Sequence, residues 1–160
     1  MAKNSSSDGK KWRRATRLVR GGTTRSGHGE TSEAIFLTSG YVYDGAAEAE
    51  ARFKGEAPGF VYSRFGNPTV AMFEQRLALL EGAEACKATS TGMAAVFAAL
   101  MAQLRAGDHV VASRALFGSC LYIVGELLPR YGIEVTLVDG TDMAQWQAAF
   151  RPETACVFLE

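Results

Sequence analysis

The stretch from Gly92 to Leu159, GMAAVFAALMAQLRAGDHVVASRALFGSCLYIVGELLPRYGIEVTLVDGTDMAQWQAAFRPETACVFL, decides the fold class. Short runs rich in β-branched residues alternate there with longer segments whose apolar residues recur at helical spacing. Such alternation is typical of right-handed βαβ units, so the sequence predicts an α/β fold with a parallel sheet covered on both faces. The predicted helices are Gly92 to Arg105, Ser119 to Tyr131 and Met143 to Phe150. The predicted strands are His109 to Ser113, Ile133 to Val138 and Ala155 to Leu159, preceded by a weak strand at Ala85 to Ala88.

Two further helices are predicted upstream of this stretch. Asp44 is a natural N-cap for an Ala- and Glu-rich helix that runs to about Phe53. Asn67 can cap a second helix that has Pro68 in its first turn and ends before Gly82. The apolar residues Val70, Phe73, Leu77 and Leu80 recur at helical spacing, which supports this second helix.

Composition and charge exclude several classes of protein. The 160 residues are 48% hydrophobic and carry 17 basic and 17 acidic side chains, so the chain is globular and has no net field that favours nucleic acid or an anionic membrane. The segment from Met1 to Glu33 nevertheless holds eight basic and three acidic residues, which predicts a solvated or subunit-crossing arm with flexible loops at Gly21-Gly22 and Gly27 to Gly29. The longest apolar stretch is too short to cross a bilayer, and no secretory signal is recognisable, which predicts a cytoplasmic protein.

Cysteine and histidine offer no metal-binding pattern. Cys86, Cys120 and Cys156 form no CxxC pair, which argues against zinc and a disulfide framework and predicts buried free thiols. For His28 and His109 the sequence suggests no partner, and we expect both to be structural or solvated.

The turn before the helix at Gly92 is a candidate anion site. In open α/β sheets, ligands gather where helix starts present backbone N–H groups. The amides of Gly92 and Met93 are expected to be unsatisfied first-turn donors, and Thr91 adds a hydroxyl. Because small residues at a helix start often serve only as caps, simple capping is the alternative.

Two other places carry side chains suited to a planar, phosphorylated ligand. Tyr62 and Arg64 are two residues apart, so an extended segment would project a phenol and a guanidinium from one face. Phe117 follows the strand His109 to Ser113 and could stack on a planar ring. The alternatives are an ion pair between Arg64 and a carboxylate, and core packing of Phe117.

Taken together, these motifs resemble a known enzyme family. Tyr62-Ser63-Arg64 with Gly66-Asn67-Pro68-Thr69, then Thr91 to Ala95, then Ala106 to Val111 are similar to the N-terminal part of the pyridoxal-phosphate enzymes of cysteine and methionine metabolism. The likeness extends from about Ala15 to Glu160. Leu116 to Ser119 with Phe36 to Ser39 is most similar to the sulfhydrylase branch that uses O-succinylhomoserine.

The resemblance implies a fold, a cofactor and an assembly. It implies a fold-type-I enzyme, with residues 1–60 as an N-terminal arm and short helical segment and residues 61–160 as the first part of the large α/β domain. It implies that Thr91, Gly92 and Met93 bind the phosphate of pyridoxal 5'-phosphate. It also implies that Phe117 stacks on the cofactor ring, where relatives more often have a Tyr. Tyr62 and Arg64 are implied to reach across to the cofactor phosphate bound by a neighbouring subunit. The assembly implied is a homo-oligomer, a dimer of dimers.

The implied reaction is a γ-replacement, in which sulfide displaces succinate from O-succinylhomoserine to give homocysteine in methionine biosynthesis. The resemblance also implies a Schiff-base lysine and proton carrier downstream of Glu160, so no catalytic residue is expected in residues 1–160 and the chain alone should be inactive. Because the last predicted strand would leave an exposed apolar edge, we expect the chain to be incomplete. The alternatives are a cystathionine γ-synthase or lyase, or a non-catalytic short product that keeps a dimerisation surface.

Overall fold

The computed structural model describes residues 11–160, which divide into two compact units, one ending at Ala88 and the other beginning at Thr89. Lys3 and Lys10, which belong to the predicted basic arm, lie outside the described residues. Within residues 11–160 every helix is too short or too polar to traverse a bilayer.

The N-terminal unit contains three helices. They are α1 (Arg14–Arg20), α2 (Ala46–Phe53) and α3 (Pro68–Glu81). The predicted cap of α3 is confirmed: the Asn67 side chain accepts a hydrogen bond from the Thr69 amide at 2.8 Å, and Gly82 ends the helix with φ of +69°.

The predicted cap of α2 is wrong, although the helix itself is confirmed. The N-cap position is Gly45, and no side chain bonds to the first turn there. Asp44 instead donates its own backbone N–H to the Glu48 carboxylate at 2.6 Å. Glu48 also pairs with Arg52 one turn further on, so the start of α2 is held by side chains of the helix itself.

The described part of the basic arm contacts α3, which corrects the expectation of a flexible Gly21-Gly22 loop, although the side chains of α1 are largely exposed. Arg76 of α3 donates to the Gly21 carbonyl at 2.8 Å and pairs with Glu33. Gly22 has φ of +72°, and a Cβ added there would lie 2.7 Å from the Met72 carbonyl oxygen. This approach between backbones requires glycine at residue 22.

The predicted helix is confirmed, but its buried face is not the one formed by the regularly spaced apolar residues. Met72 and Ala78 are the buried residues of α3. Val70 is 44%, Phe73 55% and Leu77 36% exposed. The arm packs on a different part of α3, where the Gly21-Gly22 turn approaches the Met72 carbonyl.

The C-terminal unit is built on a three-stranded parallel sheet. Its strands are β1 (His109–Ser113), β2 (Glu134–Val138) and β3 (Thr154–Phe158), in the order β2-β1-β3. The sequence predicted all three strands, within one residue at each end. The helices are α4 (Gly92–Met101), α5 (Gly118–Tyr122), α6 (Leu128–Arg130) and α7 (Met143–Ala149), with a π-helical stretch at Ile123–Leu127 between α5 and α6.

Helices cover both faces of this sheet, as predicted. All five residues of β1 are buried, and alternate side chains point to opposite faces. Val110 and Ala112 pack on one face with residues of α4 and of the segment from α5 to α6, whereas Val111 packs on the other with Val138 and Trp146 of α7. The central strand is therefore fixed by packing from two sides.

The predicted strand at Ala85 to Ala88 is not formed; the segment is extended without a ladder. The Ala88 amide donates to the Glu74 carboxylate at 2.9 Å, a side-chain bond in place of a strand partner. The predicted buried thiols are correct only for Cys120, since Cys86 and Cys156 are half-buried, and all three are free. His109 is fully buried and has a structural role, one of the two expected outcomes; its partners, which the sequence did not suggest, are Thr136 and Thr154.

Candidate functional site

The start of α4 presents two backbone donors to open space. Thr91 is the N-cap, and its hydroxyl accepts from the Ala94 amide at 3.0 Å. The amides of Gly92 and Met93 have no acceptor among residues 11–160. An added Cβ at Gly92 would meet no neighbouring atom within 4 Å, so an anion can approach the backbone closely.

The side chain of Met93 anchors this helix start. It packs against the core cluster that also holds Leu100 and Val110. The two free amides are therefore fixed to the sheet by an apolar contact next to them. A helix of ten residues directs the positive end of its dipole to the same place.

Phe117 lies in the same unit, at the carboxyl end of β1. Its ring is 66% exposed, so within this unit the core-packing alternative is wrong for it. Its neighbour Leu116 packs against the core instead. Phe117 is also the N-cap residue of α5, and its own side chain makes no capping hydrogen bond. The ring is thus free to stack on a ligand, while the backbone beneath it is anchored.

Glu160 is a residue that sequence reasoning missed. Its carboxylate Oε2 accepts from the Phe117 amide at 2.6 Å. Hydrogen bonds from the Cys120 thiol and from the Phe117 amide lower the pKa of Glu160 below its usual value. The signal that could have found it is topological: parallel neighbouring strands end at the same edge, and Glu160 follows β3 as Phe117 follows β1.

Tyr62 and Arg64 lie in a turn of the N-terminal unit and not in the extended segment that the sequence predicted. The amides of Phe65 and Gly66 donate to the Tyr62 carbonyl at 2.9 and 3.1 Å, which closes the turn. The two side chains are still brought together, because the Arg64 guanidinium carbon lies 5.0 Å from the Tyr62 ring centroid. The guanidinium also stacks on Phe65, at 5.3 Å.

The charge of Arg64 has no carboxylate partner in the described part of the chain. The alternative of a loop arginine in an ion pair is therefore not what this unit shows. Because the two rings contact the faces of the guanidinium, its N–H groups, which lie in its plane, can still donate to a ligand. Two of these N–H groups can bind two oxygens of one phosphate.

Side-chain bonds hold this turn in place. Ser63 donates its hydroxyl to the Thr38 carbonyl, and the Asn67 side-chain amide donates to Ser63 Oγ at 3.1 Å and to the Phe36 carbonyl at 3.0 Å. An isolated antiparallel bridge joins Tyr62 to Gly40. The turn is thus fixed to the Phe36–Gly40 stretch and to the cap of α3.

A cleft of about 420 Å³ opens beside the turn. Its polar lining includes Arg64, Asn67, Glu74 and Lys87. Lys87 pairs with Glu74 at 3.4 Å, while its side chain is 83% exposed.

The six predicted site residues form two groups. Thr91, Gly92 and Met93 at the start of α4 share the C-terminal unit with Phe117, and α4 contacts α5. Tyr62 and Arg64 stack on each other in the N-terminal unit. Among residues 11–160, no three His, Cys, Asp or Glu side chains cluster in a way that could hold a metal ion.

The chain is similar to several known enzymes. The chain is 57% identical over 146 residues to the O-succinylhomoserine sulfhydrylase of Mycobacterium tuberculosis. This match covers 91% of the present chain and 36% of that protein. It is 41% identical over 146 residues to an L-methionine gamma-lyase of Porphyromonas gingivalis, covering 91% and 37%. The Campylobacter jejuni metY structure, which carries N'-pyridoxyl-lysine-5'-monophosphate, superposes with a TM-score of 0.83 at 28% identity over 92% of this chain and 36% of that one.

The chain spans little more than a third of the length of these relatives. Its fold, with a three-stranded parallel sheet, matches part of a fold-type-I enzyme. Residues 15–160 match the family described as Cys/Met metabolism PLP-dependent enzyme. The chain therefore belongs to this family of pyridoxal-phosphate-dependent enzymes.

Proposed function

We propose that this chain is part of a pyridoxal-phosphate enzyme that acts on an O-acylhomoserine, O-succinylhomoserine in particular. In the proposed reaction sulfide replaces the acyloxy group at Cγ, which leaves as succinate, and so forms homocysteine for methionine biosynthesis. The observation that carries the proposal is the start of α4, where two amides have no acceptor in the described part of the chain and Gly92 faces open space. The choice of substrate is supported by the 57% identity to an O-succinylhomoserine sulfhydrylase, against 41% to a methionine gamma-lyase.

The residues of the α4 start fit the phosphate of the cofactor. A phosphate needs several donors and a positive field, and the Gly92 and Met93 amides at the N-terminus of a ten-residue helix supply both. The Thr91 hydroxyl lies beside them; it already accepts from Ala94 and still has its own proton to donate.

Tyr62 and Arg64 complete the phosphate site from a neighbouring subunit. The exposed guanidinium adds a positive charge, and the Tyr62 hydroxyl adds a donor. A site shared in this way exists only in an oligomer, so we propose a homo-oligomeric enzyme whose active site lies at a subunit interface. We place this enzyme in the cytoplasm, where sulfide and amino-acid substrates meet.

Phe117 orients the ring of the cofactor by stacking. Bound pyridoxal phosphate supplies an electron sink that lowers the barrier to removing protons from an amino-acid substrate. Phe117 has no hydroxyl, so its contribution is contact and water exclusion without proton transfer. The proton carrier is a lysine that we place outside residues 1–160; these residues alone then bind phosphate without catalysing the reaction.

Replacing Arg64 by Ala tests the proposal. In the protein as its gene encodes it, Arg64→Ala should weaken pyridoxal-phosphate binding by about 1.5–3 kcal/mol, because a charged hydrogen bond to phosphate is lost. Titration of the cofactor-free protein, followed by absorbance, measures this affinity. Arg130→Ala removes an exposed arginine of the other unit and should leave the affinity unchanged. Equal affinities for Arg64→Ala and wild type would contradict the shared phosphate site.

Methionine gamma-lyase activity is the second candidate, because the gamma-lyase relative is 41% identical over 91% of the chain. The two reactions differ in their products. A sulfhydrylase given O-succinylhomoserine and sulfide forms homocysteine and succinate, whereas a gamma-lyase given methionine releases methanethiol. Cysteine offered in place of sulfide distinguishes a cystathionine γ-synthase, which would form cystathionine.

A further inference from the structure

The parallel sheet places the segment after β3 beside the segment after β1. β1 and β3 are neighbours in the register Ala112 with Phe158, so both chains leave the sheet at the same edge. After β1 the chain turns into α5 at Phe117, and after β3 it reaches Glu160 two residues beyond Phe158. The sheet topology therefore brings a carboxylate to the start of α5.

Glu160 holds this helix start by two bonds. Its Oε2 accepts from the Phe117 amide at 2.6 Å, and its carboxylate also bonds to the thiol of Cys120, which lies in the first turn of α5 and is only 3% exposed. One side chain thus bridges the residue before the helix and a buried residue within it. The Phe117 backbone is fixed at both points.

The electrostatics at these bonds agree with an ionised acceptor. The Cys120 thiol and the Phe117 amide lower the pKa of Glu160, and Glu160 together with burial raises the pKa of the Cys120 thiol. At neutral pH the pair is a carboxylate and a neutral thiol, so the thiol donates and the carboxylate accepts.

We propose that Glu160 is a positioning residue, which sets the orientation of the Phe117 ring by holding the Phe117 amide and the Cys120 thiol at the start of α5. The inference rests on the proposed function in one respect, that Phe117 stacks on the cofactor. Because the ring is 66% exposed, side-chain packing around it is sparse and its direction follows mainly from the backbone that Glu160 anchors.

Cofactor binding by four variants tests the inference. In the protein as its gene encodes it, Glu160→Ala removes the acceptor and should weaken pyridoxal-phosphate affinity about fivefold and change the circular dichroism band of the bound cofactor. Glu160→Gln keeps a neutral acceptor and should restore most of both signals. Phe117→Ala removes the ring itself and should show at least the loss seen for Glu160→Ala. Glu126→Gln, the same change at an exposed glutamate of this unit, should match wild type.

Labelling of Cys120 tests the contact without any cofactor. Removing the negative charge in Glu160→Gln or Glu160→Ala lowers the thiol pKa, so iodoacetamide should modify Cys120 several-fold faster in the cofactor-free protein. Peptide mass spectrometry separates Cys120 from the other two cysteines. An unchanged Cys120 rate would overturn the inference, because the contact would then be absent in solution.

The outcomes separate this inference from the proposed function. If Phe117→Ala weakens the cofactor and Glu160→Ala alters neither affinity nor the dichroic band, Glu160 does not position the ring and only the inference fails. If Phe117→Ala itself binds the cofactor as wild type does, the stacking role of Phe117 fails, and with it the inference that depends on it. Weaker cofactor binding in both Phe117→Ala and Glu160→Ala, with recovery in Glu160→Gln, supports the inference.

Discussion

At the scale of single residues, Asn67 shows how one side chain can organise a turn and a helix together. It is 8% exposed, and it caps α3 through Oδ1 while its amide nitrogen donates to the Phe36 carbonyl and to Ser63 Oγ. The turn that carries Tyr62 and Arg64 depends on these bonds.

Replacing Asn67 by Ala should lower the free energy of unfolding by about 2–3 kcal/mol, since the cap is lost and the Phe36 carbonyl loses its donor. Asn67→Ser keeps a capping oxygen but not the reach to Phe36, and should cost about half as much. Urea unfolding of the three proteins measures the difference. Equal stability of Asn67→Ala and wild type would mean that water replaces all three bonds.

Two glycines with nearly the same backbone angle form a matched pair. Gly22 and Gly29 have φ of +72° and +67°, but an added Cβ meets the Met72 carbonyl oxygen at 2.7 Å only at Gly22. Gly29→Ala should cost about 1 kcal/mol of backbone strain, and Gly22→Ala clearly more because the arm must move away from α3. Thermal unfolding compares the two. Similar melting temperatures would indicate that the arm does not pack on α3 in solution.

At the scale of the elements, His109 ties the three strands together. Its Nδ1 and Nε2 lie 2.8 Å from Thr154 Oγ1 and 2.9 Å from Thr136 Oγ1, so a single ring bonds to both neighbours of β1. The ring is fully buried.

The charge state of His109 makes the sheet sensitive to acid. Burial lowers the pKa of His109 below its usual value of 6.5, and Arg151 lowers it further, whereas Glu134 and Glu153 oppose the shift. Because the pKa is lower in the folded protein, the stabilisation is complete above pH 6.5 and is lost as the pH falls through the folded-state value.

His109→Leu should lower the free energy of unfolding at pH 7.5 by about 1–3 kcal/mol, because two threonine hydroxyls lose their partner. It should also flatten the decline in stability of wild type below pH 6.5. Urea unfolding across this pH range measures both effects. His28→Leu, at an exposed histidine, is the control and should change neither. The same acid dependence in His109→Leu as in wild type would contradict the assignment.

The sequence predicted the elements whose own residues determine them. The strand His109 to Ser113 is apolar on both faces because the sheet is covered on both, and the Asn67-Pro68 start of α3 is complete within two residues. The segment from Ala85 to Ala88 has no such property: it contains no β-branched or aromatic residue, and the Ala88 amide bonds to the distant Glu74 carboxylate instead of to a strand.

The sequence predicted less where contacts are long-range. Val70, Phe73 and Leu77 recur at helical spacing, but local spacing does not tell which face of α3 the arm covers. The sequence predicted that Tyr62 and Arg64 project from one face of an extended segment. The segment is a turn instead, and this turn also brings the Arg64 guanidinium close to the Tyr62 ring. Glu160 was missed because its role depends on strand order, which residue patterns do not encode.

At the scale of the whole molecule, the proposed function requires that each active site combine two chains. In each site, Phe117 would then come from one subunit and Arg64 from the other. Two defective proteins can therefore restore each other in a mixed dimer, because one of its two sites receives neither substitution.

Mixing Arg64→Ala with Phe117→Ala under conditions of subunit exchange should restore wild-type cofactor affinity in about a quarter of the sites, since half of the dimers are mixed and each has one intact site. Cofactor titration of the mixture measures this fraction. Each variant alone, treated in the same way, is the control. A mixture that behaves as the average of the two variants would place Arg64 and Phe117 in the same subunit's site.

The π-helical stretch at Ile123–Leu127 affects how insertions and deletions are accommodated in this fold. A wider turn takes up one residue more than a regular helix of equal length, so Val124 at its start and Leu128 directly after it both remain buried against the sheet. A homologous sequence one residue shorter at this point can keep the same core by winding a regular α-helix. A one-residue gap in an alignment near Gly125 therefore marks a change of helical pitch and leaves the fold unchanged.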